Sequence, residues 1–390
     1  MEESTLILNA LLKQIADEQN LSDYDLKIEP TSSGGANYTS TLYEVTFTNG
    51  NKNVYMFGKV ATMGENMRSR APKMYKTENF AYTKLLKVYE RLEDEHDVPL
   101  EHKLVFSKFY GSNVESYEET IVLENLLKNG FEAYDRFKPM TKEYAFSAIK
   151  SLGKFHALSL AYSEYYPEEF NEIIKELKFE FEMESEEMVQ YFDGVVGRSI
   201  TTIKEESRGP LQRFFEELPK DAFAKWMTTA KRPVLGHGDY RPNNLMHRNR
   251  EDGTVDIKIL DLQTMQGSSP VVDLLYFIFT GSDEEFRAQY YDQLVDHYYT
   301  QLHDAMKRLN LDPEKVYSRQ DFDNELKEKL PFGLAVAIFT LPIVTVDVED
   351  APKVNEDLDF TGFSIKTTND LYKERLNGVV NDYVKWGILK

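Results

Sequence analysis

Apolar and polar residues follow two different periods in the first 126 residues of the chain. Residues 4–17 place apolar side chains three and four positions apart, which is typical of a helix with one buried face. Residues 41–48 and 53–60 have the composition of strands and are joined through Asn49-Gly50, a strong signal for a tight hairpin turn. The pattern predicts helices over residues 4–17 and 74–92, and strands over residues 41–48, 53–60, 103–110 and 117–124. We expect these strands to form a small antiparallel sheet.

The remainder of the chain has mainly the helical period. Helices are predicted over residues 144–160, 271–279, 284–309, 320–329 and 368–383, and residues 162–230, rich in Glu, Tyr and Phe, are expected to form an inserted helical region. Residues 256–260 instead alternate polar and apolar positions and predict a strand that ends at Asp261. A chain of 390 residues suits two lobes with separate cores. We therefore predict an α+β fold with an N-lobe of residues 1–126 and a C-lobe of residues 127–390.

The longest uncharged run covers residues 330–346 and is interrupted by Pro331, Gly333 and Pro342. It is shorter than the roughly 20 apolar residues that a membrane-spanning helix needs. We expect a buried core helix there and no membrane span. The alternative is that residues 332–346 form one wall of an apolar pocket.

Composition narrows the possible partners and the compartment. The net charge of −20 argues against nucleic acid and against an anionic membrane surface, since both would repel the protein. Hydrophobic residues at 41% and aromatic residues at 13% exclude a disordered chain. The sequence has no cysteine, which excludes disulfides and thiolate metal sites, and it begins with acidic residues rather than a cationic signal peptide. We expect a cytoplasmic protein.

Two motifs carry the chemistry of the chain. The first is H-G-D-Y-R-P-N-N at 237–244, and the second is V-D-I-K-I-L-D-L-Q at 255–263. Asp239 lies five residues before Asn244, and Asp261 follows a short apolar strand. One carboxylate that accepts a hydroxyl proton, with an amide and a second carboxylate that hold Mg²⁺, is the set that phosphoryl transfer needs. The simpler alternative is that H-G-D is a turn and that Asp261 ends a strand.

A second group of residues suits the binding of phosphates. Lys59 lies among apolar neighbours near the end of a predicted strand, where an ammonium group is costly unless it gains a partner. Before the first hairpin strand, Gly34, Gly35 and Asn37 belong to a stretch of small residues whose backbone N–H groups could approach phosphates. A flexible loop is the alternative for the glycine pair.

The loop from Asp239 to Asn244, followed by the second motif, resembles the catalytic motif of the aminoglycoside phosphotransferase and choline kinase group, which shares the protein kinase fold. The tandem Asn243-Asn244 and the ending L-D-L-Q are similar, more narrowly, to the ecdysteroid kinase-like family of small-molecule kinases. Three further stretches resemble that family: G-A-N-Y-T-S at 35–40, L-E-N-L at 123–126 and K-F-H-A at 154–157. The resemblance runs from about residue 30 to the end of the chain, with Leu262 where Phe is usual and Tyr240-Arg241 where Trp often occurs. It implies a bilobal protein kinase-like fold.

The resemblance also implies roles for particular residues. Lys59 would hold the phosphates of ATP and pair with Glu78, although an exposed helix face is the alternative for Glu78. The main chain of Glu124 and Leu126 would meet the adenine edge at the hinge between the lobes. Asp239 would be the base, and Asn244 with Asp261 would bind Mg²⁺.

The implied reaction is transfer of the γ-phosphoryl group of ATP to a hydroxyl of an ecdysteroid-like sterol or a hydroxylated xenobiotic. A choline or aminoglycoside acceptor is the alternative within the same class. Two other classes remain open, namely a catalytically inactive nucleotide-binding protein and a metal-dependent hydrolase.

Four more residues near the motifs have expected supporting roles. His156 is interpreted as a structural histidine, and His237 is expected to brace the catalytic loop through hydrogen bonds. Asp273 could orient that loop by accepting its backbone donors, or it could cap the helix that follows. Arg241 could touch the transferred phosphoryl group or point into solvent.

Overall fold

The computed structural model describes residues 2–32, 39–62, 64–65, 73–178, 186–351, 365 and 367–390. The amino-terminal part contains a five-stranded antiparallel sheet with the strand order β1-β2-β3-β5-β4. Its strands are β1 (Asp25–Thr31), β2 (Ser40–Asn49), β3 (Lys52–Ala61), β4 (Phe109–Asn113) and β5 (Thr120–Glu124).

The hairpin of β2 and β3 confirms the sequence prediction. Asn49 pairs with Lys52, and Gly50 in the turn has a φ of +56°, a value that suits glycine. The strand predicted over residues 103–110 is wrong for most of its length, because strand structure begins only at Phe109. Strand β1 was not predicted; it is an edge strand whose residues are all exposed or half-buried.

This part of the protein also contains helical segments. Helix α1 (Glu3–Glu18) packs Leu8, Leu11, Leu12 and Ile15 on the sheet, and Gly58 in β3 allows the close approach of Leu8. The predicted helix over residues 74–92 consists of α2 (Met74–Phe80), a π-helical turn (Ala81–Leu85) and α3 (Leu86–Glu95).

The carboxy-terminal part is mainly helical, as the sequence predicts. Its helices are α4 (Lys142–Tyr165), α5 (Pro167–Glu176), α6 (Glu186–Thr202), α7 (Glu205–Glu217), α8 (Ala222–Thr228), α9 (Pro270–Gly281), α10 (Glu284–Arg308), α11 (Pro313–Val316), α12 (Arg319–Thr345) and α13 (Asp370–Lys385). Its short strands are β6 (Glu132–Ala133), β7 (Val234–Gly236), β8 (Leu245–Asn249), β9 (Val255–Ile259) and β10 (Gln266–Ser268). Strands β6, β8 and β9 form one sheet, and β7 pairs with β10.

Helix α12 joins two segments that the sequence analysis treated separately. It continues through Pro331 and Pro342, and Phe332, Leu334 and Ile338 in its second half are fully buried. By length and composition alone the helix could cross a membrane, but 72% of its most apolar window lies inside the protein. The expectation of a core helix is confirmed for these residues.

The arrangement of sheet and helices confirms the predicted α+β class, with an antiparallel-sheet amino-terminal part and a helical carboxy-terminal part. A small core lies between α1 and the sheet, and a larger core joins α2, the π-helical turn and α3 to the helices of the carboxy-terminal part. The predicted lobe boundary after residue 126 falls at a short 3₁₀ helix (Leu126–Asn129) and stays a prediction.

Candidate active site

The hairpin of β8 and β9 brings Asn244 and Asp261 to the same end of one small sheet. Asn244 directly precedes β8, and Asp261 follows β9 after one residue. The strands are antiparallel with Leu245 opposite Ile259, and the Leu260 amide donates to the Asn244 carbonyl at 2.9 Å. Both side chains therefore extend from neighbouring positions.

Asp261 has a left-handed backbone conformation, with φ 60° and ψ 58°. Such a conformation is uncommon for a residue with a side chain and costs roughly 1–2 kcal/mol. The turn at Asp261 ends β9 and starts a 3₁₀ helix (Leu262–Thr264). The strained turn directs the carboxylate towards the amino-terminal sheet, where it meets Lys59.

Lys59 connects both parts of the molecule through two ion pairs. Its Nζ lies 2.9 Å from Glu78 Oε2 and 2.8 Å from Asp261 Oδ1, with Gln263 Oε1 at 3.5 Å. Burial alone would lower the pKa of the Lys59 ammonium, but the carboxylates of Asp261 and Glu78 together raise it above its ordinary value. Lys59 is therefore a permanent cation at neutral pH.

Glu78 lies on α2, and only 2% of its side chain is exposed. Burial raises the pKa of its carboxyl, and the neighbouring Lys59 opposes that rise. The pKa of Asp261 is lowered, because Lys59 outweighs the effect of burial. Lys59 thus forms ion pairs with two carboxylates that come from different parts of the chain.

Asp239 lies in the loop between β7 and the 3₁₀ helix Pro242–Asn244. Its carboxylate lies 3.0 Å from Arg241 Nε, and Asn244 Nδ2 donates to its Oδ2 at 2.8 Å and to its carbonyl at 2.9 Å. Arg241 therefore points to Asp239 rather than into solvent, with a side chain that is only 10% exposed. The neutral amide of Asn244 and the cationic guanidinium of Arg241 together keep the Asp239 carboxylate in one orientation.

Asp273 holds the loop from behind. Its carboxylate, fully buried on α9, accepts the backbone N–H groups of His237 at 2.7 Å and Gly238 at 2.9 Å. Burial would raise its pKa, but the hydrogen bond from His156 and the nearby histidines and N–H donors lower it. Of the two roles considered for Asp273, the structure shows the loop contacts.

The two histidines near the loop act as hydrogen-bonding groups in this structure. His156 Nε2 lies 3.0 Å from Asp273 Oδ2, and its Nδ1 lies 2.7 Å from the Tyr298 hydroxyl. His237 Nε2 donates to the Leu260 carbonyl at 2.8 Å, and its Nδ1 accepts the Asp239 amide at 3.2 Å. Because His237 bonds to the residue before Asp261, it links the two motifs of the site.

The expected nucleotide-facing residues are described only in part. Gly34, Gly35 and Asn37 lie outside the described residues. At the expected hinge, the Glu124 amide donates to the Lys108 carbonyl at 2.8 Å, and the Leu126 carbonyl accepts from the Phe131 amide at 3.1 Å. The Glu124 carbonyl takes a long 3.5 Å contact from the Ser107 hydroxyl, which leaves it capacity for a stronger donor.

The donor set of Asn244 and Asp261 fits Mg²⁺. Asn244 commits its Nδ2 to Asp239, so its carbonyl oxygen is the atom that remains for a cation. Asp261 Oδ2 accepts a long 3.3 Å hydrogen bond from Gln263. No group of three His, Cys, Asp or Glu side chains within the described ranges could hold a metal. Mg²⁺ would therefore need further oxygen ligands from phosphates and water, which is its usual mode in nucleotide sites.

Sequence reasoning missed Gln263 and Tyr276 as members of the site. Gln263 contacts both Lys59 and Asp261. Burial raises the pKa of Tyr276, on α9, and the negative charge of Asp239 raises it further, so Tyr276 interacts electrostatically with the expected base. Gln263 ends the L-D-L-Q motif, which could have marked it as part of the site. Tyr276 carries no such signal, because an aromatic residue at helical spacing is typical of an ordinary core.

A comparison with protein families agrees with the motifs. A model of the ecdysteroid kinase-like family matches residues 34–311, well over half of the chain. No curated protein matches the sequence. Among solved structures, the chain is similar to the GDP and kanamycin complex of APH(2″)-IIia, with a TM-score of 0.43 and 11% identity over 83% of this chain and 97% of that one. The GDP complex of wild-type aminoglycoside 2′-phosphotransferase-IIIa has a TM-score of 0.37 and 11% identity over 83% and 98%.

Proposed function

The chain belongs to the ecdysteroid kinase-like family, and from this premise we propose that it is a small-molecule kinase dependent on ATP and Mg²⁺. The reaction proposed is transfer of the γ-phosphoryl group of ATP to the hydroxyl of a small molecule. The contact of Lys59 with both Glu78 and Asp261 is the observation that supports it most directly. These three residues are separated by up to 202 positions in the sequence, yet they form one charged cluster.

In the proposed mechanism, the hydroxyl oxygen of the acceptor forms a bond to the γ-phosphorus, and Asp239 accepts the proton of that hydroxyl. The bond between that phosphorus and the bridging oxygen of ADP breaks, and ADP leaves. Arg241 and Asn244 orient Asp239, as their hydrogen bonds to its carboxylate suggest. The backbone bonds from the loop to Asp273 keep Asp239 in position.

Lys59 would hold the phosphates of ATP, with Glu78 as its fixed carboxylate partner. Asn244 and Asp261 would hold Mg²⁺, which when bound neutralises the negative charge that develops on the phosphates. The main chain of Glu124 and Leu126, together with Gly34, Gly35 and Asn37, remains our proposal for the rest of the nucleotide site.

For the acceptor, we propose an ecdysteroid-like sterol or a hydroxylated xenobiotic, because those are the substrates that the family suggests. A choline or aminoglycoside acceptor is the alternative within the same reaction class. We further propose a cytoplasmic protein without a nucleic-acid partner, in keeping with the net charge of −20.

The test is Mg²⁺-dependent formation of ADP with a panel of ecdysteroids, hydroxylated plant metabolites, choline and aminoglycosides. We expect turnover with one class, and Asp239→Asn should reduce it by a factor of about 10²–10⁴, the usual range for a lost general base. Asp17→Asn, an exposed change on α1, is the control and should leave turnover unchanged. Binding of ATP without turnover on any acceptor would favour an inactive nucleotide-binding protein, and absence of ATP binding would exclude the proposed function.

A further inference from the structure

Tyr82 carries a buried hydroxyl whose purpose the packing does not explain. The residue is 3% exposed, and its ring stacks on Phe109 with centroids 5.8 Å apart. Its hydroxyl is buried without a hydrogen-bond partner within the part of the chain that the structure describes. A buried hydroxyl in that state costs about 1–3 kcal/mol, and phenylalanine would supply the same ring without that cost. A hydroxyl kept at such a cost needs a reason.

The position of Tyr82 suggests where its missing partner lies. Tyr82 follows Glu78 by four residues, so both side chains lie on the same face of the helix one turn apart. It also belongs to the π-helical turn (Ala81–Leu85) directly after α2, and such turns are frequent at functional sites.

The phenol of Tyr82 stays protonated, so in a hydrogen bond with a carboxylate it can only be the donor. Burial raises the pKa of Tyr82, and the charges that act on it next are those of Glu78, Lys59 and Asp261. The charges of the ion cluster thus act on this buried hydroxyl.

Glu78 is the acceptor that suits this donor best. Its carboxylate is 2% exposed and accepts from Lys59 at 2.9 Å. Lys59 also donates to Asp261 and Gln263 in the present arrangement. When phosphates take up some of the three donors of Lys59, the buried Glu78 carboxylate needs a second donor to keep its orientation.

We propose that Tyr82 is a positioning residue for the nucleotide, which donates its hydroxyl proton in a hydrogen bond to Glu78 once Lys59 engages phosphates. Tyr82 then acts through Glu78 and Lys59 and touches neither the nucleotide nor the acceptor. The inference rests on the proposed function and extends it to a residue that the sequence motifs do not mark.

The test compares Tyr82→Phe with the wild-type protein. Binding of Mg·ATP and Mg·ADP is measured by titration calorimetry, KM values are measured for ATP and for the acceptor, and Tm is measured without ligand. We expect nucleotide binding to weaken about tenfold, the effect of one lost hydrogen bond to a charged group. The KM for ATP should rise while the KM for the acceptor stays unchanged. Tm should stay the same or rise, because the variant removes an unpaired hydroxyl from the ligand-free state.

Tyr89→Phe is the matched control. Tyr89 lies on α3, and its hydroxyl is also buried without a hydrogen-bond partner among the described residues. Burial raises the pKa of Tyr89, and the groups that act on it after burial are Ser159 and Tyr162 rather than the ion cluster. Its ring packs edge-on against Phe155, so the variant also keeps its ring contact. Nucleotide binding should be unchanged in this control.

The possible results separate the inference from the proposed function. If the wild-type protein binds no Mg·nucleotide, the proposed function fails and the inference fails with it. If the wild-type protein binds nucleotide and Tyr82→Phe binds it equally well, only the inference is overturned. A loss of Tm in Tyr82→Phe together with unchanged nucleotide affinity would show that the hydroxyl has a structural role instead.

Discussion

Gly238, next to the proposed base Asp239, has a backbone conformation that only glycine accepts at this place. Its φ is +80°, and a Cβ atom would lie 2.3 Å from the carbonyl oxygen of Thr264. The left-handed conformation costs a residue with a side chain about 1–2 kcal/mol, and the collision adds to that cost. We therefore predict that Gly238→Ala lowers the free energy of unfolding by more than about 2 kcal/mol and strongly reduces turnover.

Gly253 offers the control for that prediction, because it has a φ of +82° and a Cβ there would meet no atom of the described residues within 4 Å. Gly253→Ala should show the conformational cost of about 1–2 kcal/mol alone. Urea unfolding of both variants measures the difference. Equal losses in the two variants would mean that the loop at Gly238 can move away from Thr264.

The contribution of Asp273 to the free energy of unfolding depends on pH, and this dependence can be measured. Its pKa is lowered in the folded protein, so its contribution to stability is complete above its unfolded pKa of about 3.9 and is lost as pH falls through the folded pKa. In Asp273→Asn, one carboxylate oxygen becomes an Nδ2 donor that would face a donor in place of accepting from it, and we expect a loss of about 3–5 kcal/mol near pH 7. The measurement is the unfolding free energy of both proteins between pH 7 and pH 3. The gap between them should stay constant down to about pH 5 and narrow below pH 4, and a gap that widens in acid would contradict this account.

At the scale of elements, Gly153 fixes how closely α4 and α10 approach each other. A Cβ at Gly153 would lie 3.0 Å from the backbone nitrogen of Leu302 and 3.1 Å from the Cβ of Gln301. Glycine in a helix normally costs stability relative to alanine, but here alanine would force the two helices apart. We predict that Gly153→Ala destabilises the protein by about 1–3 kcal/mol.

Gly194 on α6 is the matched control, because a Cβ there would meet no atom within 4 Å in the described parts of the chain. Gly194→Ala should stabilise the protein by about 0.5–1 kcal/mol, because the helix gains alanine at no steric cost. Thermal unfolding of both variants is the measurement. The two changes should shift Tm in opposite directions, and a shift in the same direction would show that α4 and α10 can adapt.

Elements with strong local signals could be predicted from the sequence, and elements that depend on distant partners could not. The Asn49-Gly50 hairpin and the amphipathic α1 need only their own residues. Strand β1 (Asp25–Thr31) has a weak alternation that includes Pro30, and it is a strand because β2 pairs with it. Residues 103–108 have apolar positions typical of a strand, but pairing with β5 starts only at Phe109.

The same distinction applies to the site. Asp239 and Asn244 are close in sequence, so their relation was visible in one motif, and their hydrogen bond agrees with it. The contact of Lys59 with Asp261 depends on how the sheet meets the β8–β9 hairpin, which no local pattern specifies. Tyr82 and Tyr276 look like core residues at helical spacing, because only the fold brings charged side chains near enough to act on them.

At the scale of the whole molecule, the charged cluster around Lys59 joins the amino-terminal sheet to the carboxy-terminal hairpin. The protein carries a net charge of −20, yet Lys59 supplies a half-buried cation where phosphates are expected. The proposed binding of an anionic nucleotide is compatible with this net charge, because local charge at short range outweighs a distant field that salt screens. The proposed nucleotide site thus lies at the junction between the two parts of the chain, and binding should stabilise both together.

Thermal unfolding tests that consequence. A ligand that binds only the folded protein stabilises it by RT ln(1 + [L]/Kd), about 2.7 kcal/mol at a hundred times Kd. We predict that Mg·ATP raises Tm of the wild-type protein and that removal of Mg²⁺ with EDTA diminishes the rise. Asp261→Asn should diminish it as well, because the variant loses both the ion pair with Lys59 and a carboxylate for the metal. Asp252→Asn, at the exposed opposite end of the same hairpin, is the control and should keep the full rise. A rise in Tm that survives both EDTA and Asp261→Asn would show that the nucleotide binds elsewhere, and Asp261 would then have no part in its site.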